Sequence, residues 1–161
     1  MSHANLAKRG TLLIESGTYH RPDLRHFHVV CTDPDEDGRQ LIVSISTING
    51  GQHYDNACVL ESHEHKFIKH PSFVKYAYAK ITYRSQLLKK LANKKAKPYP
   101  PDLNNQTFQK VLNGIDTSEY IEPKARAYYH SRKQAVDAAR AKVMSRKTTA
   151  ASQKTVSENR V

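Results

Sequence analysis

Between Cys58 and Tyr76 the chain gathers Cys58, His63, His65, Lys69, His70, Lys75 and Tyr76 onto what reads as one connection between two short strands. Few folds need so many imidazoles and ammonium groups on a single loop, so function is sought there first. Two more imidazoles, His26 and His28, follow Arg25, and an apolar run closes on Ser46 and Thr47. Imidazoles titrate near neutral pH and can move protons, while ammonium and guanidinium groups can hold charge that grows on a phosphate.

The other chemistries these residue types allow fit less well. Cys58, His63, His65 and His70 are all possible zinc donors, and His63-Glu64-His65 would put two imidazoles on one strand face. Their spacing matches no standard zinc module, the His-Glu-x-x-His helix signature is absent, and one loop does not easily wrap four ligands tetrahedrally. No metal or other cofactor is expected. A glycine-rich phosphate loop, a nucleophile elbow and a paired-carboxylate signature are all missing, which removes the nucleotide-hydrolase and glycosidase readings.

A formal charge of +11 over 161 residues exceeds what solubility requires and points to a polyanionic partner. A membrane surface would also be polyanionic, but no apolar run approaches the roughly 18 to 20 residues that span a bilayer. Met1 to Arg9 lacks the apolar core of a secretory signal. Two cysteines, Cys31 and Cys58, are too few for a disulfide framework and suit a reducing compartment. A soluble, cytoplasmic protein is expected.

The elements that must position these groups fall into two halves. Thr11 to Glu15, Phe27 to Thr32, Gln40 to Thr47, Ala57 to Leu60 and Tyr78 to Tyr83 are short and rich in Val, Ile, Thr, Tyr or Phe, as strands are. Asp33-Pro34-Asp35-Glu36-Asp37-Gly38 makes the second and third a hairpin, and Asn49-Gly50-Gly51 supplies another reversal. Such strands predict a small, strongly bent antiparallel sheet or SH3-like barrel. Beyond Ser85 the pattern turns helical. Ser85 can cap a short helix with Leu87, Leu88 and Leu91, and Pro98-Tyr99-Pro100-Pro101 interrupts it. Phe108, Val111 and Leu112 share a helical face with Gly114 placed as a C-terminal cap. A last helix opens at Pro123, carries Ala125, Tyr129, Val136, Ala139 and Val143 on one side, and displays Lys124, Arg126, Arg132, Lys133, Arg140 and Lys142 elsewhere. The predicted organisation is a mainly β domain over residues 1–97 with a long His/Lys loop at 61–76, a helical extension over 98–147, and a disordered basic tail over 148–161.

The segment Arg25-His26-Phe27-His28-Val29-Val30, its turn, and Leu41-Ile42-Val43-Ser44-Ile45-Ser46-Thr47 resemble the paired strands of the MazF/PemK (Kid) toxins of bacterial toxin-antitoxin modules. Those strands carry an Arg-Pro-x-hydrophobic-Val pattern and end in Thr-Ser. Arg25 falls on the family arginine and Ser46-Thr47 on its Thr-Ser, whereas His26 replaces the proline and the preceding glycine is absent. The likeness covers about a quarter of the chain. The stretch holding Asp55, Cys58, His65, Phe67-Ile68, His70, Ser72 and Tyr76 looks like a divergent plasmid or phage branch of the family. The resemblance implies an SH3-like barrel, a homodimer, an acidic antitoxin partner and metal-independent cleavage of single-stranded RNA.

Such cleavage needs a base for the 2′-hydroxyl, an acid for the leaving 5′-oxygen and a cation for the phosphate. The candidate catalytic residues are Arg25, Ser46, Thr47, His65 and His70. The candidate RNA contacts are Lys69, Lys75, Tyr76, Arg132, Lys133 and Arg140. Each has a plainer reading. Strand alternation puts Arg25 on one face and His26 and His28 on the other, so all three cannot enter one site without a bulge. Ser46 and Thr47 can simply end a strand, His65 and His70 can be solvated or buried and hydrogen-bonded, and Tyr76 can be core. The basic last helix can be a solvated face, a non-catalytic nucleic-acid surface, or a dock for an acidic protein.

Overall fold

The computed structural model describes residues 5–17 and 19–158. Six strands, β1 (Thr11–Glu15), β2 (Arg25–Val30), β3 (Arg39–Thr47), β4 (Val59–Leu60), β5 (Ser72–Tyr83) and β6 (Ala96–Pro98), form one antiparallel sheet in the order β4-β5-β3-β2-β1-β6. Helices α1 (Arg84–Ala92), α2 (Asn105–Thr117) and α3 (Pro123–Glu158) follow or interrupt the strands. The chain makes two compact units, one through Tyr128 and the other from Tyr129 onward.

The β2–β3 hairpin forms as the acidic turn requires. Asp35 accepts the backbone N–H groups of Asp37 and Arg39, and Gly38 takes φ +80°, a conformation that costs glycine little. The register pairs Phe27 with Ile45, His28 with Ser44, Val29 with Val43 and Val30 with Ile42. The sheet is open: β4 and β6 are its two edges, where a closed five-stranded barrel was expected. The added strand, β6, is the short Ala96–Pro98 segment on the way to the proline cluster. It pairs with β1, a tertiary contact that three residues of local sequence do not announce.

Alternation assigns the two faces. On one lie Leu12, Ile14, Val30, Ile42 and Ala96, which bury against Leu6 and Leu87, with Leu91 of α1 packed on them. This explains α1: its leucines cover an apolar patch at the β1/β6 side of the sheet. On the other face Phe27 stacks on Phe67 at 4.7 Å and meets His65 and Tyr99, while Tyr76 reaches α2. Asn104 caps α2 by accepting the N–H of Thr107 at 2.8 Å.

Gly114 was expected to end α2, but the helix continues through it to Thr117. A Cβ there would lie 1.9 Å from the Tyr76 hydroxyl, so the glycine is a packing requirement, not a cap. Likewise β5 begins at Ser72 and not at Tyr78, so the loop is shorter than 61–76 and Lys75 and Tyr76 stand on a strand. Between the pairs Ile42–Lys80 and Ser44–Lys75 the register shifts, and β5 carries extra residues there as a bulge. The last helix likewise differs from expectation. It runs on through residues 148–158, where a disordered tail was predicted.

Candidate functional site

Beyond the patch that α1 covers, the same side of the sheet is mostly polar, with Ser44 and Phe73 buried and His28 half-buried on it. By alternation it carries His26 and His28 from β2, Ser44 and Ser46 from β3, and Lys75 and Lys80 from β5. Lys90 of α1 joins them at its border, close enough for its charge to act on His28.

His26 is placed by the β1–β2 connection. Ser16 N–H donates to the Leu24 carbonyl at 3.0 Å, and Gly17 permits the close turn, since a Cβ on it would sit 1.6 Å from the Arg21 carbonyl oxygen. Ser16 Oγ then contacts His26 Nδ1 at 2.7 Å while directing its own hydroxyl toward the Ile14 carbonyl at 3.3 Å. The hydroxyl has one proton to give: placed toward Ile14, it leaves Nδ1–H as the donor to Ser16 and the lone pair of the neutral ring on Nε2; placed toward His26, it puts the ring N–H on Nε2. Partial burial, then the charge of Lys75, lowers the His26 pKa below 6.5. The ring is mainly neutral at pH 7.

His28 is held more tightly. Its Nδ1–H donates to the His26 carbonyl at 2.9 Å, so Nε2 again carries the lone pair. Burial takes its pKa down to about 4, opposed by that hydrogen bond and reinforced by His26, Lys90 and Lys80. Lys75 lies with its ammonium 4.3 Å from the centre of the Tyr78 ring, and Tyr78, on the bulge, is exposed. A cation stacked on an exposed aromatic, beside two neutral imidazoles, can hold a phosphate and offer a ring for a base.

The expected site residues do not converge as one set. Extending the register by two pairs puts His26 beside Ser46 and Arg25 beside Thr47, on opposite faces, as alternation requires. Arg25 is occupied: its guanidinium donates to the Lys94 carbonyl at 2.6 Å and pairs with Glu15 at 3.6 Å. Thr47 is exposed and registers with Ser72, which follows exposed Lys69 and His70 by a few residues. His65 lies apart from all of these, buried under Phe27. Its Nε2–H donates to the Pro101 carbonyl at 2.7 Å and its Nδ1 accepts the Phe67 N–H at 3.0 Å. Both ring nitrogens are used, and burial, against the Pro101 bond and with Lys66, lowers its pKa. It ties a loop to the sheet and has no atom left for catalysis.

Tyr76 also leaves the set of RNA contacts. It is fully buried, donates to the Val111 carbonyl at 2.7 Å, and burial drives its pKa upward. Arg132, Lys133 and Arg140 belong to the second unit, on the α3 helix. Cys31 and Cys58 are both buried, with pKa values pushed up by burial to about 12 and about 11. Among the described residues no three His, Cys, Asp or Glu side chains come together as a metal site needs. Ser16, Lys80 and Lys90 were not singled out from the sequence, whereas His26 and His28 were weighed there but left out of the catalytic set, and these two had one local signal. The period-two run of His26 and His28 opposite Ser44 and Ser46 makes a polar face on strands whose other face is apolar.

No family model, no curated protein and no solved structure matches this chain. No helix among the described residues is long and apolar enough to cross a membrane. The fold and site therefore define a class by geometry alone: a six-stranded antiparallel sheet with C-terminal helices and one open basic, imidazole-bearing face.

Proposed function

We propose that this protein binds single-stranded RNA on the open sheet face and cleaves it without a metal, as a divergent toxin of the MazF/PemK kind. The observation that carries the reading is the company kept by His26 and His28. A half-exposed neutral imidazole, His26, and a more deeply held one, His28, share one sheet face with Lys75 and Lys80, and Lys75, Lys80 and Lys90 lie close enough for their charges to act on them. A neutral imidazole and a fixed cation are the minimum for moving a proton while holding phosphate charge. The β2–β3 hairpin that carries the family likeness also carries this patch. On this reading the open, bent sheet corresponds to the family's SH3-like barrel, the protein works as a homodimer, and a small acidic antitoxin covers its basic surface.

Purified protein should cut single-stranded RNA in excess chelator and leave 2′,3′-cyclic phosphate ends, and induction should arrest bacterial growth unless the acidic partner is co-expressed. Absence of cutting and of arrest would remove the toxin reading.

A second reading, binding without cleavage, rests on Arg25. The residue that falls on the family arginine is engaged by Glu15 and by the Lys94 carbonyl. If the protein only binds, RNA affinity should fall with salt while RNA stays intact, with a slope of about 0.7 per phosphate contacted.

A further inference from the structure

We infer that His26 is the general base of the proposed RNA cleavage and that Ser16 is its positioning residue, so that the proton-accepting atom is His26 Nε2. The inference rests on the ribonuclease reading above and deepens it, because His26 stands where the resemblance has proline and was not among the expected catalytic residues.

Three observations lead to it. Ser16 Oγ lies 3.3 Å from the Ile14 carbonyl and 2.7 Å from His26 Nδ1, and assigning its single proton to the carbonyl makes the contact with His26 Nδ1–H donating to Ser16 Oγ. That holds the ring in one tautomer and turns Nε2 outward from β1. Ser16 itself is held by the Leu24 carbonyl and by the tight turn at Gly17, so the orientation comes from backbone geometry. The other imidazoles are less suited. Burial and two ring hydrogen bonds occupy His65, and the strongly lowered pKa of His28 makes it a weak base. His70 is exposed in the loop before β5, and among the described residues no hydrogen bond orients its ring.

The charged groups bearing on His26 come from two elements. Lys75 of β5 acts on it directly, and His28 on its own strand lies next along the same face. Lys80 and Lys90 act on His28, while the Glu15–Arg25 pair belongs to the opposite face of the sheet. All the nearby charge on the open face is thus positive. It disfavours imidazolium and keeps the base unprotonated at neutral pH.

In the reaction His26 Nε2 removes the proton from a ribose 2′-hydroxyl. The 2′-oxygen forms a bond to the adjacent phosphorus, and the bond from phosphorus to the 5′-oxygen breaks. Lys75 holds a non-bridging oxygen. The leaving 5′-oxygen takes a proton from solvent water, and the hydroxide so formed takes the proton back from the His26 imidazolium. The products are a 2′,3′-cyclic phosphate and a 5′-hydroxyl, with no net change in protons or electrons.

The test is single-turnover cleavage of a labelled single-stranded RNA pool by the full chain in chelator from pH 4.5 to 8. For wild type the rate should climb with pH as His26 loses its proton, with the midpoint of the rise below pH 6.5, and then level off. His26→Gln should slow cleavage by about a hundredfold or more, since a positioned base contributes about 10²–10⁴. It should erase the acid limb of the profile and leave RNA affinity, read by anisotropy, within about twofold. Ser16→Ala should slow cleavage by a smaller factor, and ¹⁵N-resolved NMR should show Nε2 as the unprotonated nitrogen in wild type and a mixture of tautomers in Ser16→Ala. A His26→Gln protein that cuts at the wild-type rate with an unchanged acid limb overturns the inference and leaves the ribonuclease reading standing. A wild-type protein that cuts no RNA overturns both. Protonated Nε2 at neutral pH in wild type overturns the Ser16 assignment whatever the cleavage result.

Discussion

Gly114→Ala should destabilise this protein, although a glycine-to-alanine change inside a helix ordinarily helps. At an exposed helical position alanine gains about 1 kcal/mol over glycine. Here the new methyl group would lie 1.9 Å from the Tyr76 hydroxyl oxygen, 2.5 Å from Cζ and 2.8 Å from Cε2. Tyr76 is fully buried and its hydroxyl is bonded to Val111 one turn earlier on the same helix, so the ring has little freedom to retreat. Overpacking of this kind costs about 3 kcal/mol at the upper end of its usual range. Losing the Tyr76 hydrogen bond adds about 1 kcal/mol, which the helix-propensity gain offsets. The net expectation is about 3 kcal/mol, or a fall in Tm of about 6 to 12 °C for a chain of this size. Urea denaturation followed by circular dichroism measures it. Tyr76→Phe alone should cost about 1 kcal/mol. The double variant should be less destabilised than the sum of the two, since removing the hydroxyl removes the closest clash but leaves the ring. Gly114→Ala within about 0.5 kcal/mol of wild type, or more stable, would refute the argument and mean that α2 does not rest on Tyr76.

The remaining expectations concern charge. His28 is lowered from 6.5 to about 4 in the folded protein, so folding favours its neutral form; that stability is fully present above pH 6.5 and is lost as pH falls toward 4, about 3 kcal/mol in all. Urea midpoints measured across that window should fall in wild type and fall less in His28→Gln; equal slopes would contradict the burial of the ring. Glu64 accepts Lys110 at 2.8 and 3.0 Å, Thr107 at 3.3 Å and the Glu61 N–H at 2.8 Å, so Glu64→Ala should cost about 1 to 2 kcal/mol by chemical denaturation. A double-mutant cycle with Lys110→Met should show coupling of at least about 0.5 kcal/mol, and none would mean that the pair is only a surface contact. If α3 contributes phosphate contacts, changing Arg132, Lys133 and Arg140 together to Gln should reduce the slope of log affinity against log salt by up to about 2 for single-stranded RNA, with cleavage preference unchanged. An unchanged slope would assign the helix's charge to another role.

Much of the scaffold is determined by local sequence. Thr11 to Glu15 is a strand from its composition, and Asp33 to Gly38 dictates the β2–β3 hairpin because Asp35 and Gly38 satisfy the turn within six residues. The separation of Arg25 from His26 and His28 also follows from alternation alone. What the sequence could not determine was the destination of each side chain, because that depends on residues far along the chain. His65 reads equally as catalytic, solvated, or buried and hydrogen-bonded until Phe27 covers it and the Pro101 carbonyl accepts its Nε2–H. Gly114 reads as a helix cap until Tyr76 lies across it. The barrel expected from strand count stays open, and a sixth strand forms from Ala96–Pro98 only because β1 has a free edge. The same holds for the candidate site: α1 covers one part of a sheet face through Leu87 and Leu91 and leaves the rest to His26, His28, Lys75 and Lys80. Periodicity assigns a residue to a face, but only packing between distant elements decides which part of that face meets water, and catalysis needs that part.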